Sequence, residues 1–590
     1  MKPGDIKVAP PSWRWLAERV WSVEHAFERI KAEGRAEEDT RVRIFFVLAA
    51  FALAFVVLAF GATRAAVFSG KGATVAGATA LADRADLVDR NGRLIAANLT
   101  HYALYIDPEE VWEPAESRRK LARLLPKVPP KRLKAALEGE RRTFVVGGLT
   151  PQQRKAIHDL ALPGVSFEEE DRRVYPLGVS AAHLVGFTDS AGKGLAGVER
   201  ALDDEIRDAG RDGKPVALSI DLRVQAALED ELRRAAVDQG VKGGVGIVTN
   251  VRTGEILAMS SWPEFDPNAA GRAADDAKLN RAASSVYEMG STFKVFTLAI
   301  GLDTGQATRS STFDATSPLK LGNRAVRDYH AANRVMTLED IFILSSNIGT
   351  SRLAMQVGGP TVSRYFDALG LTKPADVELR ENARPIRPRR WDDNTVASTS
   401  FGHAISVTPL ALTQAMGAVL NGGQMVPLTI RRREGAPPEG SRVVSEQTSR
   451  IMLDLMRMNV VRGTGSKANA AGLRVGGKTG SANKIVGGRY SDTVLVASFA
   501  AVFPTDGPLD ADRYFVLILL DEPKGSAASG GARTGGWTAA PAVGRVIDRI
   551  ASFLGVRRAA DPWQTATGER PPVEERLSIV AAPAVEEAAR

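Results

Sequence analysis

The chain has 590 residues, of which 44% are hydrophobic, and contains no cysteine. It is long enough for two or three buried cores, and disulfides, thiolate metal sites and cysteine nucleophiles are excluded. The formal charge of +8 is spread along the chain, which makes no case for nucleic-acid binding, and the six histidines (His25, His101, His158, His183, His330, His403) form no H-E-x-x-H pair, so no metal or cofactor is expected.

Taken in chain order, residues 1–43 open with Trp13, Leu16, Val20, Val23, Phe27 and Ile30 at alternating steps of three and four. That spacing predicts an amphipathic helix, which would lie on a membrane or pair with a partner helix. Residues 44–62 form an uncharged apolar run, long enough at ~1.5 Å per residue to nearly span a ~30 Å hydrocarbon core. Five Lys/Arg fall in the twenty residues before it and two in the twenty after it. The positive-inside rule then puts the N-terminus in the cytoplasm and the remainder across the membrane. A cleaved signal peptide is the competing reading, but its n-region and apolar stretch would both be too long.

Residues 63–82 are Gly/Ala/Thr-rich and predict a linker. Residues 83–214 mix short strands with charged helices, and Val88 to Ile95 predicts two strands about an Asn91-Gly92 turn. Residues 215–556 predict one larger α/β domain. Within it, Asp221 caps a helix from Leu222, Gly244–Ser260 forms a hairpin turning at Thr253-Gly254, and Leu473–Ala482, Thr493–Phe503 and Tyr514–Asp521 form antiparallel strands before a covering helix. Residues 557–590 are Pro/Ala/Glu-rich and predict a disordered tail. The fold class expected is therefore multidomain α/β: one transmembrane helix, a mixed α+β domain, and a domain with a central antiparallel sheet flanked by helices.

Three strings in the larger domain carry chemistry: Ser291-Thr292-Phe293-Lys294, Ser345-Ser346-Asn347, and Lys478-Thr479-Gly480-Ser481. Alone, each is weak, because S-x-x-K arises by chance in long chains. In this order they are the set of serine acylation enzymes that use lysine as the proton carrier. Gly290 and the apolar run after Lys294 put Ser291 at a helix N-terminus, where an i, i+3 pair shares one face and Lys294 reaches the hydroxyl. Lysine serves as a base only if burial or a nearby cation lowers its pKa, and Lys478 could be that cation. Ser345 would relay a proton, and Asn347 would hold the substrate backbone. On a strand, Lys478 with Thr479 or Ser481 would take a carboxylate, while the bare backbone at Gly480 would let a peptide approach.

Further stretches fit one family. Asn280-Arg281-Ala282 and Tyr287-Glu288-Met289-Gly290-Ser291-Thr292-Phe293-Lys294 resemble the serine region of class B penicillin-binding proteins. Arg84 to Gly92, Arg173-Val174-Tyr175-Pro176, Ala182 to Phe187 and Gly197-Val198-Glu199 resemble that family's non-catalytic pedestal. Val407-Thr408-Pro409, Asn421-Gly422-Gly423 and Gly463-Thr464-Gly465 resemble its transpeptidase domain. Length and Gly186-Phe187-Thr188 look more like the septal than the elongation type.

The resemblance implies a peptidoglycan D,D-transpeptidase. Ser291 would be the nucleophile, Lys294 the base, Ser345 the relay and Asn347 a substrate contact. Lys478 with Thr479 would bind the carboxylate, and the N–H groups of Ser291 and Ser481 would form the oxyanion hole. Its partners would be stem peptides, β-lactams as inhibitors, a membrane glycan polymerase and other division proteins. Its place would be the inner membrane, with the catalytic domain in the periplasm. Met289 stands where proline is usual, which would loosen the loop before the helix, and Ser481 stands where threonine is usual. His330 and His403 flank the motifs and are read as structural. Three alternatives stay open: an elongation-type transpeptidase, a β-lactamase-like hydrolase and a non-catalytic scaffold.

Overall fold

The computed structural model describes residues 84–561, together with 47, 50–56, 58 and 576. Residues 47, 50–56 and 58 are helical and exposed. Among the described residues no helix is long and apolar enough to cross a membrane. The anchor expected over 44–62 is described only in part, and the N-terminal stripe and the linker lie outside the described residues.

The pedestal is built on the long strand Leu94–Ile106, which pairs antiparallel with Leu87–Val88, Thr143–Leu149 and Val165–Val174. Leu87–Val88 also pairs in parallel with Val216–Ala217. The predicted turn is present: Val88 faces Leu94, Gly92 has φ +80°, and the Asp89 carboxylate accepts from the N–H groups of Asn91 and Arg93 at 2.8 Å each. Positive φ at the second turn position is why glycine stands there.

Three short helices, Pro114–Leu124, Pro130–Leu137 and Pro151–His158, each begin with proline, whose fixed φ suits the first helical position. With the sheet they enclose a small core that includes Leu104, Leu121, Leu133 and Val145. A buried ion cluster holds the other end of the pedestal. Glu199 pairs with Arg84 and Arg173 and accepts the Tyr175 hydroxyl at 3.2 Å. Those residues come from three separate stretches of the family resemblance.

The larger domain is organised by a five-stranded, fully antiparallel sheet. Its order is Gly476–Val486, Arg489–Phe503, Tyr514–Asp521, Gly243–Asn250, Ile256–Trp262. Period-two alternation divides the strand Tyr514–Asp521 between two cores. Val516, Ile518 and Leu520 pack with Val224, Leu228, Val543 and Ile547 of the helices Leu222–Gln239 and Ala539–Ile550. Phe515, Leu517 and Leu519 belong to the core of the helices Lys294–Asp303, Pro409–Leu420 and Glu446–Arg462. Gly476–Val486 is an edge strand, and this places the Lys-Thr-Gly-Ser string at the border of the sheet.

The tail expected to be disordered from Arg557 lies mostly outside the described residues. Its first five residues do not fit that expectation. Ala559 N–H bonds the Gly472 carbonyl at 3.0 Å, and Asp561 pairs with Arg457.

Candidate active site

The serine turn is tighter than a helix start. Gly290–Phe293 is 3₁₀, and the α-helix begins at Lys294. Residues three apart are eclipsed in a 3₁₀ turn, so Ser291 and Lys294 still stack on one side. Gly290 has φ +56°, and a side-chain carbon there would fall 2.7 Å from the Ser481 carbonyl carbon and 3.0 Å from Ser481 N. The turn and the edge strand are thus pressed backbone to backbone, which brings the Ser481 N–H close to the Ser291 turn. Ser291 is half-buried, and its hydroxyl bonds to none of the described residues.

Gly480 has no room for a side chain. A carbon in place of its missing side chain would meet Ser498 Oγ, the Met289 carbonyl oxygen at 2.7 Å and Thr292 Cγ2 at 2.9 Å. The space is filled by the serine turn itself, so the glycine serves internal packing on that side of the strand.

Both lysines are fully buried. Lys294 Nζ donates to the Ser345 carbonyl, to Ser345 Oγ at 3.1 Å and to Asn347 Oδ1 at 2.8 Å. Lys478 Nζ donates to the same Ser345 Oγ at 2.9 Å and to Thr479 Oγ1 at 3.2 Å. One hydroxyl therefore bridges two amines. Burial pushes both pKa values down. Lys294 also faces the Lys478 charge, with Asp328 opposing the shift, and falls well below the ordinary lysine range. Lys478 is lowered to about 7 by burial. A neutral Lys294 has a lone pair with which to accept a hydroxyl proton, and a charged Lys478 can supply one through Ser345.

The remaining predicted residues gather around this centre. Ser345 holds φ +60°, a left-handed conformation costly for a side-chain-bearing residue. Thr479 Oγ1 lies 3.0 Å from Thr464 Oγ1, and Ser481 Oγ accepts from Gly535 N–H at 3.1 Å while keeping its own proton to donate. His403 is half-buried against Phe401 and Tyr490, with its pKa lowered by burial and by Lys294. His330 stacks edge-on with Tyr329.

Two domain families match the chain: the penicillin binding protein transpeptidase domain over residues 244–545 and the penicillin-binding protein dimerisation domain over 79–215. The chain belongs to the class B penicillin-binding proteins. It is 61% identical over 568 residues to the probable peptidoglycan D,D-transpeptidase FtsI of Caulobacter vibrioides, covering 95% of this chain and 96% of the relative. It is 29% identical to peptidoglycan D,D-transpeptidase FtsI of Escherichia coli, covering 82% and 86%. The crystal structure of penicillin binding protein 3 from Mycobacterium tuberculosis, complexed with aztreonam, superposes with a TM-score of 0.62 at 24% identity, covering 81% of this chain and 97% of that one.

Two residues that shape this penicillin-binding protein site, Asp328 and Asn459, are absent from the sequence reading. Asp328 accepts from Ser346 Oγ at 2.7 Å and from the N–H groups of Asn347 and Ile348, so it joins Ser346 in capping the helix Asn347–Val357, which starts on the last residue of the Ser-Ser-Asn string. Asn459 donates to the Gly477 carbonyl at 2.7 Å and accepts from Thr464 N–H and Oγ1 at 3.1 Å each, tying the edge strand to the Gly463–Gly465 loop. Met289, in the place of the usual proline, is buried, and its carbonyl accepts the Thr292 hydroxyl at 2.9 Å.

Proposed function

We propose that this chain is a peptidoglycan D,D-transpeptidase of septal cell-wall synthesis, acting through an acyl-enzyme on Ser291. The observation that carries the reading is Ser345 Oγ held between two buried lysines beside the Ser291 turn. Neutral Lys294 takes the Ser291 proton as Oγ attacks the penultimate D-Ala carbonyl of a stem peptide. The oxyanion is held by the N–H groups of Ser291 and Ser481. As the tetrahedral intermediate collapses, the departing D-Ala amine takes a proton through Ser345 and the lysine pair. An amine of a neighbouring stem then attacks the ester and gives up a proton to the base, and Ser291 Oγ recovers its own. Asn347 holds the substrate backbone, and Lys478 with Thr479 draws its carboxylate.

The 44–62 run anchors the chain in the cytoplasmic membrane, with the N-terminus inside and residues 83–556 in the periplasm. The pedestal is a docking surface toward a membrane glycan polymerase and other division proteins, because about twenty residues between anchor and pedestal leave no room for a polymerase domain.

Labelled penicillin tests the chemistry. A long-lived adduct on the full chain that Ser291→Ala abolishes is expected, whereas rapid turnover would mean a hydrolase. Depletion in the cell tests the role: filaments are expected, and rounded cells would assign the chain to elongation.

A further inference from the structure

Behind the catalytic centre lies a buried cluster of opposite charges that the transpeptidase reaction does not use. Asp454 is fully buried on the helix Glu446–Arg462, and Glu339 is nearly so on the helix Leu338–Ile343. Arg309 pairs with both, at 2.6 Å to Asp454 and 3.2 Å to Glu339, and Arg462 pairs with Glu339. The remaining cation comes from far along the chain. Arg576 is fully buried, with Nε 3.1 Å from Asp454 Oδ1, and Nη2 3.3 Å from Asp454 Oδ2 and 2.8 Å from Glu339 Oε2. It grips one carboxylate with two nitrogens and reaches the second with one of them, the geometry at which a planar guanidinium excels.

The two helices it joins are the ones that deliver the site. The helix Leu338–Ile343 runs into Leu344 and the left-handed Ser345. The helix Glu446–Arg462 runs into Thr464, whose N–H bonds the Ile343 carbonyl at 3.2 Å and whose hydroxyl meets Thr479. The same helix receives the tail a second time, where Asp561 pairs with Arg457. Arg457 and Asp454 are three residues apart, hence one turn apart on one face.

We propose that Glu339 and Asp454 form a docking site for the chain's own C-terminal tail, and that Arg576, seated there, is a positioning residue that clamps the two helices presenting Ser345 and Thr464. Arg576 is a cis-acting part of the catalytic domain, and whatever withdraws it (proteolysis, or a partner competing for it) slows acylation. This rests on the reading of Ser291 as the acylated nucleophile.

The test uses the full chain with Arg576→Ala and Arg576→Lys, and a fluorescent penicillin as the acylating probe. The Ala variant should acylate roughly 2- to 30-fold more slowly, the span of coupling through packed networks. Millimolar methylguanidinium, which fits the vacated seat, should restore the rate in the Ala variant and leave the wild type unchanged. The Lys variant should fall between, since it keeps the charge but loses the fork. Acylation of the Ala variant at the wild-type rate would overturn the proposal. So would a slow rate that methylguanidinium fails to lift, since that marks a general loss of packing. Ser291→Ala runs alongside: if it still labels, the nucleophile reading has failed and not the tail site.

Discussion

Replacing Gly480 with alanine tests whether the edge strand and the serine turn are one rigid unit. The added carbon would stand 2.7 Å from the Met289 carbonyl oxygen, 2.9 Å from Thr292 Cγ2 and against Ser498 Oγ. The Ser498 hydroxyl can swing away. The Met289 carbonyl cannot, because it is backbone, leads directly into left-handed Gly290, and already accepts the Thr292 hydroxyl. Restoring ordinary contact, about 3.4 Å, requires the turn to retreat by about 0.7 Å. Overpacking of this kind costs about 1–3 kcal/mol. A misplacement near 1 Å of a reacting group costs as much as ~100-fold in rate. The variant should therefore fold, melt a few degrees lower, and acylate with fluorescent penicillin tens of times more slowly than wild type. Gly271→Ala, where a side-chain carbon meets nothing within 4 Å, is the neutral control. Acylation within about twofold of wild type, at an unchanged melting temperature, would refute the close packing of strand on turn.

Other expectations follow from the charges. Acylation should be bell-shaped in pH. It should rise as Lys294, whose pKa lies well below the ordinary lysine value, loses its proton, and fall through about 7 as Lys478 loses the ammonium that supplies the relay; rates from pH 4 to 9 on the full chain check this, and a flat profile across pH 7 would contradict it. Asp328→Asn removes a negative neighbour from Lys294, which disfavours its charged form, so the acid limb should move to lower pH; the weakened cap should also cost about 0.5–2 kcal/mol in a denaturant melt. Glu199→Gln leaves Arg84 and Arg173 buried without their shared carboxylate, and unfolding in urea should show a loss of about 3–5 kcal/mol.

The parts of this protein legible in the sequence are those whose partners are close in the chain or whose periodicity is strong. The Asn91-Gly92 turn, the Gly243–Trp262 hairpin and the three late strands need only local turn chemistry and alternation. That Ser291 and Lys294 lie on one side of the turn follows from a spacing of three, which both α and 3₁₀ backbones honour. What escapes is set by distant contacts. Asp328 looks like any loop carboxylate until the fold places it under residues nineteen and twenty positions on. Asn459 lies inside a helix, and its value comes from a strand eighteen residues later. The packing of Met289 and Thr292 where a Gly480 side chain would stand is likewise set by the fold and not by the local sequence. Arg576 sits in a tail whose composition predicts disorder, and composition says nothing about a single guanidinium finding two buried carboxylates.

The lysine pair explains why this site can work without histidine. Two ammonium groups that share one hydroxyl, each about 3 Å from it, cannot both stay charged in a buried setting. One proton is expelled, and in the proposed mechanism Lys294 is the amine that gives it up, which leaves a base and an acid joined through Ser345 before any substrate arrives. The arrangement holds only if Ser345 stays at φ +60°, a conformation that costs of order 1–3 kcal/mol. Its neighbours hold it from both sides. Ahead of it, the helix Leu338–Ile343 is fixed through Glu339. Behind it, Asp328 caps the helix Asn347–Val357. Burial is the larger cause of the depressed basicity of Lys294, and the Lys478 charge held near it through Ser345 adds to it.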